Sequence, residues 1–314
     1  MAEIDEVVQR FHPVPGVEYY ATVLNQKGVE RAAQHPVLTP RSGSAALSCH
    51  MCDTFVRRNS NRSQADEIAR WLATVEAALR SGATRATIGL AAAWGSNFSG
   101  EFTLDDRMAV LRRQHGLWSD AGIPVRRVMF ADSMSWCLPH VVEEQLDVLQ
   151  VEWPEIDEFY LHLHDARGMA LPSIYAALRS LDERHDLILD TTAGGIGGCP
   201  YCGNGRATGM AATEDVVHML EAMGYDTGID LDRLIEVVWQ LEELTGRPVP
   251  GRVAHAGPRP MSSSEWYDPN LPVVETYEEA THFKRGESVI AHADRPWREP
   301  IPAPEGSALP HDRA

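Results

Sequence analysis

Phe159-Tyr-Leu-His-Leu-His-Asp-Ala-Arg-Gly168 begins as an apolar run and ends in polar residues, the profile of a buried strand that delivers side chains to a site. Side chains alternate along a strand, so His162 and His164 point the same way, with Asp165 just beyond. Two imidazoles on one face at a strand end suit a first-row metal ion. A pair of hydrogen-bonded structural histidines is the competing reading. The His-x-His spacing followed by an aspartate favours the metal.

Outward from this strand, strand-like and helix-like segments alternate. Strands are expected over residues 17–24, 45–52, 86–93, 125–132, 159–164 and 187–190. Helical spacing follows most of them: Ile68, Trp71, Leu72, Val75 and Leu79 before Gly82, then Met108, Leu111 and Leu117 before Gly122, then residues 139–151, and a helix entered near Pro172. Two further helices, 213–223 and 230–244, end at Gly224 and Gly246. Six strands recurring roughly every 30–40 residues fit a parallel α/β fold, and a (β/α)8 barrel spends about 31 residues per unit. A doubly wound sheet has the same local pattern. Site residues gathered at strand C-termini agree with the barrel. From residue 248 the chain turns Pro-rich, so the expected division is a barrel-type domain over 1–247 and a C-terminal extension over 248–314.

The formal net charge of −17 argues against nucleic acid or an anionic membrane surface as the main partner, while leaving room for an anionic substrate at a local cationic site. No apolar run reaches the length of a membrane span, and the acidic start, Met-Ala-Glu-Ile-Asp-Glu, lacks the features of a signal peptide. Five cysteines fit a reducing cytoplasm better than a disulfide framework.

The second informative stretch is Gly194-Gly-Ile-Gly-Gly-Cys-Pro-Tyr-Cys-Gly-Asn-Gly205. Its glycines permit unusual dihedrals and close approach to a ligand, and Cys199 lies where a thiol can serve in acid/base chemistry. Cys-Pro-Tyr-Cys also occurs in glutaredoxins, but there it follows a first strand, whereas here it follows a sixth. Cys49-His-Met-Cys52 places its thiols on opposite faces of a strand, so a zinc site of four cysteines is not expected. Asp132 ends its strand, where a carboxylate serves as a base, as support for another site residue or as a cap. Asp190, Asn59, Asn61 and Arg167 are weaker candidates with equally good structural readings. No Gly-Lys-Ser/Thr step supports nucleotide hydrolysis.

With His162-Leu-His164-Asp165, Gly197-Gly-Cys-Pro-Tyr201 and Ala212-Thr-Glu-Asp215 together, the chain resembles the hydroxymethylglutaryl-CoA lyase family over about residues 17–245. The resemblance implies a TIM barrel and a divalent cation, Mg2+ or Mn2+ in the first place and Zn2+ in the second, held by His162 and His164. It also implies that Cys199 assists proton transfer in retro-Claisen cleavage of a 3-hydroxyacyl-CoA or a related hydroxy acid, and that Asp132 lies near the substrate. Two departures stand out. The family's asparagine ligand precedes the Ala-Thr-Glu-Asp element, but Gly209-Met210 stands there in a loop about two residues longer, which leaves Asn204 as the candidate replacement. The family's first two βα units, with an Arg-Asp pair on the first strand, have no counterpart before residue 17. The expectation is therefore a barrel lacking its first two units and completed by a second polypeptide, with a homo-oligomer as the other arrangement. A non-catalytic or regulatory barrel subunit and a Claisen-type synthase are the alternatives.

Overall fold

The computed structural model describes residues 3–23, 26–39, 43–197, 209–290 and 293–302. The expected first strand does not form. Residues 17–23 carry no regular structure, and Val17, Tyr20 and Val23 are exposed. β-Branched and aromatic side chains favour a strand only where a neighbouring strand and a packed face receive them. Two short helices lie on either side, α1 (Ile4–Gln9) and α2 (Gln26–Ala32), joined by Asp5, which accepts from Arg31 and pairs with His35.

The other five expected strands form one parallel sheet. In chain order the elements are β1 (Ser44–His50), α3 (Asp53–Ser60), α4 (Gln64–Ala69), α5 (Trp71–Ser81), β2 (Arg85–Ala91), β3 (Gly95–Ser96), β4 (Gly100–Glu101) and α6 (Leu104–Asp120). They continue with β5 (Val125–Asp132), α7 (Pro139–Glu152), β6 (Glu158–Leu163), α8 (Ala170–Ser180) and β7 (Asp186–Asp190). The sheet order is β1-β2-β5-β6-β7, with β3 and β4 as a separate antiparallel hairpin. Each neighbouring pair is parallel, as β-helix-β connections require. The fold is α/β.

One face of the sheet is covered by helices. Ile88, Leu90, Val128, Phe130, Phe159, Leu161 and Leu163 are almost wholly buried there, with Trp118, Leu111, Leu146 and Ile174 from the helices. The opposite face is half-buried: Met129, Tyr160 and Ile188 form one cross-strand row on it. Near the strand N-termini Glu158 accepts from both Arg85 and Arg127 on the same face. Helix signals in the sequence are matched closely. Gly82 and Gly246 take left-handed φ values of 70° and 67° as C-caps, and Thr103 with Asp106 forms a capping box at α6.

After β7, Thr192 and Ala212 form a parallel bridge, and α9 (Thr213–Ala222) and α10 (Leu231–Thr245) follow. The start of the Pro-rich segment docks on them. The Asp215 carboxylate accepts from the N–H groups of Arg252 and Val253 at the start of α11 (Val253–Ala256), and Trp239 donates to the Ala254 carbonyl. Among the described residues no helix is long and apolar enough to cross a membrane.

Candidate active site

The period of β6 places Phe159, Leu161 and Leu163 under the helices and Tyr160, His162 and His164 on the other face. The rings of His162 and His164 lie 5.3 Å apart between centroids, their planes at 53°. Asp190 is the cross-strand neighbour of His162, and its Oδ2 lies 2.8 Å from His162 Nδ1. A carboxylate on Nδ1 fixes the ring and its tautomer and leaves Nε2 for a ligand, the usual outer arrangement of a metal-bound histidine. His164 sits just past the strand and is only 5% exposed. Its backbone N–H reaches the Asp132 carbonyl at 3.4 Å, and it bridges antiparallel to Met210.

A cleft of about 380 Å³ opens over the strand C-termini. His162 and His164 line one side with Met210, while His50 from β1 and Phe55 and Asn59 from α3 line the other. Asn59 is helical, and Asn61 is the left-handed C-cap of α3 at φ 54°.

Asp132 does not line this cleft. Its side chain is wholly buried, with Oδ1 accepting from the Trp136 N–H at 2.9 Å and Oδ2 from the Cys137 N–H at 2.8 Å. Burial pushes its carboxyl above the ordinary carboxylate range. The turn it organises is further clamped by Arg167, which donates to the Met134 and Ser135 carbonyls and stacks its guanidinium on Trp136. Arg167 is thus spent on backbone carbonyls and on the Asn97 side chain. Asp165 caps α8 by accepting from the Ala170 N–H at 2.9 Å.

The Ala-Thr-Glu-Asp element anchors the chain around the glycine-rich stretch. Glu214 is fully buried and accepts from the Gly194 N–H at 2.9 Å, and burial raises its pKa. A Cβ at Gly209 would collide with the Gly195 carbonyl, so only glycine allows the two ends of the intervening segment to approach this closely. Cys199, Cys202 and Asn204 lie outside the described residues.

Could these residues hold a divalent cation? His162 and His164 bring two imidazoles to one cleft, with Asp190 in the orienting position on His162. Met210, where the resembled family has asparagine, offers only a thioether, a poor donor for Mg2+ or Mn2+. Among the described residues no group of three His, Cys, Asp or Glu side chains gathers at metal-binding distance. The donor chemistry fits half of a metal site. Sequence reasoning missed the Asp190–His162 pairing and the place of His50, although His50, like His162, stands at the C-terminal end of a strand.

A parallel α/β sheet with two histidines over its strand C-termini defines an α/β enzyme scaffold. Comparison with known proteins places it further: the HMGL-like family model matches residues 18–239, and the chain belongs to that family. It is 29% identical to a hydroxymethylglutaryl-CoA lyase of Bacillus subtilis over 76% of this chain and 73% of that protein. It is 30% identical to the (R)-citramalyl-CoA lyase of Chloroflexus aurantiacus, over 82% and 78% of the two chains. Among solved structures, an HMG-CoA lyase from Acinetobacter baumannii in complex with coenzyme A and 3-methylmalate superposes with a TM-score of 0.65 at 27% identity, covering 82% of this chain and 78% of that one.

Proposed function

We propose that the protein is a carbon–carbon lyase that cleaves a 3-hydroxyacyl-CoA by retro-Claisen chemistry, using a divalent cation held by His162 and His164. The observation that carries this reading is the pair of imidazoles facing one cleft, with His162 oriented by Asp190 at 2.8 Å. Names of relatives support the substrate class: they include lyases of hydroxymethylglutaryl-CoA and citramalyl-CoA, both hydroxyacyl thioesters.

Breaking the bond beside the hydroxyl-bearing carbon requires loss of the hydroxyl proton and return of a proton to the carbon released. When bound, Mg2+ or Mn2+ (or Zn2+) supplies Lewis-acid polarisation of the substrate oxygens. The chain's own residues do the rest. Asp190 holds the His162 ring with Nε2 outward. Asp132 fixes the turn after β5, and through its carbonyl the backbone of His164, so in this reading it acts by positioning. On the family resemblance, Cys199 delivers the proton and Asn204 replaces the asparagine ligand.

The test is incubation of the metal-loaded protein, alone and with any co-purifying chain, with hydroxymethylglutaryl-CoA and citramalyl-CoA while thioester products are followed. Cleavage by the wild type, and loss of both metal and cleavage in His162→Ala, are the expected results. No cleavage of any hydroxyacyl-CoA under any of these conditions overturns the reading. Met210 at the asparagine position favours one second reading, a barrel subunit that has kept the scaffold without the reaction. Stoichiometric metal that His162→Ala abolishes argues against it.

A further inference from the structure

Alternation along β7 sends Ile188 and Asp190 to the face that carries the cleft, and His185, Leu187, Leu189 and Thr191 to the helix side. Cross-strand pairing agrees, since Leu187 and Leu189 stand beside Phe159 and Leu161, which lie under the helices. The four residues on the helix side form the floor of a groove of about 610 Å³ between α8 and α9. Leu178 and Leu181 form one wall, and Val216, Val217 and Leu220 form the other. From His185 to Thr191 the floor runs roughly 20 Å, at about 3.3 Å per residue. The volume spread over that length gives a channel about 30 Å² in section. A single extended chain fits such a section, whereas a helix, about 10 Å across with its side chains, does not.

The two ends of the groove differ. At one end Thr213 donates to Thr191 at 2.9 Å and ties the start of α9 to the end of β7. From there α9 runs back, which brings Tyr225 and Asp226 to the other end, beside Asp182 and Glu183. Asp182 is engaged by Arg184 at 2.8 Å, whereas Glu183 and Asp226 form no ion pair among the described residues. Among those residues, neither lysine nor arginine lines the groove. A carboxylate or phosphate on a ligand therefore meets only like charge at this mouth, while an ammonium meets two carboxylates. Between the ends the lining is leucine and valine, and the volume falls in the range of small-molecule sites. Tyr225 and Ile229 extend the apolar surface into solvent, each more than two-fifths exposed.

We propose that this groove binds a single-chain cationic amphiphile, a long-chain primary amine, with its hydrocarbon chain along β7 and its ammonium between Glu183 and Asp226. The site lies behind β7, on the opposite side of the strand from Asp190 and His162, and stands independently of the lyase reading. Protein carrying 13C-methyl leucine and valine is titrated with dodecylamine, dodecan-1-ol and dodecanoate, each below its micelle concentration. The amine moves the methyl resonances of Leu187, Leu189 and Val217. It binds about tenfold more tightly than the alcohol, and the carboxylate binds most weakly. The double variant Glu183→Gln, Asp226→Asn loses the preference for the amine while binding the alcohol as before. Leu220→Trp, which fills the groove from its half-buried wall, weakens all three ligands. Unmoved methyl resonances with every ligand, equal affinity for amine and alcohol, or an amine preference that survives in the double variant overturns the site. Shifts caused by an amphipathic leucine–lysine peptide and by none of the single chains overturn it in favour of a protein partner.

Discussion

At the scale of single residues, the site is built from side chains that hold one another. His162 was legible in the sequence because period two puts it on one face with His164. Its partner was not, because the contact with Asp190 depends on how β6 and β7 are aligned, which no local pattern specifies. That contact makes a prediction. Asp190→Asn removes the carboxylate that orients the ring, and loss of such a partner typically lowers metal affinity about 10- to 100-fold. Competition with a chelator measures it, and an affinity equal to wild type would show that the Asp190 contact does not support metal binding at His162. Asp132 shows the converse limit. Its strand-end position was readable, but its burial and its two backbone donors belong to the turn that follows. His50 was hidden inside Cys49-His-Met-Cys52, where the cysteine spacing drew the eye. Cys52 turns out to be the N-cap of α3.

At the scale of elements, apolar periodicity located five strands and the helices between them, since each buries one face against the next. It failed at residues 17–23, where the residue types favour a strand but the only backbone pairing among the described residues is a single contact of Tyr19 with Thr39, too little for a ladder. The Ala-Thr-Glu-Asp element shows what a motif can do besides chemistry: Glu214 anchors Gly194, and Asp215 anchors the start of α11. Burial raises the Glu214 pKa above its ordinary value of 4.5, so the folded state holds that proton more tightly than the unfolded chain does. Its contribution to stability is therefore complete below about pH 4.5 and is lost as pH rises through the folded-state value. Glu214→Gln keeps an oxygen for the Gly194 N–H and removes the ionisation. Urea denaturation at pH 4 and pH 7.5 is expected to show the variant gaining on the wild type at the higher pH. A difference independent of pH would mean that Glu214 titrates alike in both states.

At the scale of the whole molecule, the sheet has two ends, β1 and β7, and a face on which Met129, Tyr160 and Ile188 remain half-exposed. A closed barrel would bury such a face under its own far strands. If a second polypeptide provides those strands, the protein purified with its native partners runs as an assembly, and light scattering with mass spectrometry identifies the extra chain. A monomer that loads metal and cleaves substrate alone would exclude that arrangement. Class and fold were therefore readable from the strand period and three short motifs, whereas the arrangement beyond the sheet edges rests on surfaces that a linear pattern does not reveal.

The pinning of Gly209 against Gly195 has an evolutionary side. Where two points of a chain are clasped, the length between them becomes nearly free to vary, because the closure entropy of a flexible loop grows only with the logarithm of its length. Adding two residues there costs well under about 0.6 kcal/mol, the figure for a doubling. A clasp of this kind lets insertions and exchanges accumulate in the span it encloses without disturbing β7 or α9. The longer span read in the sequence before the Ala-Thr-Glu-Asp element is thus compatible with ends that stay anchored at Gly195 and Gly209.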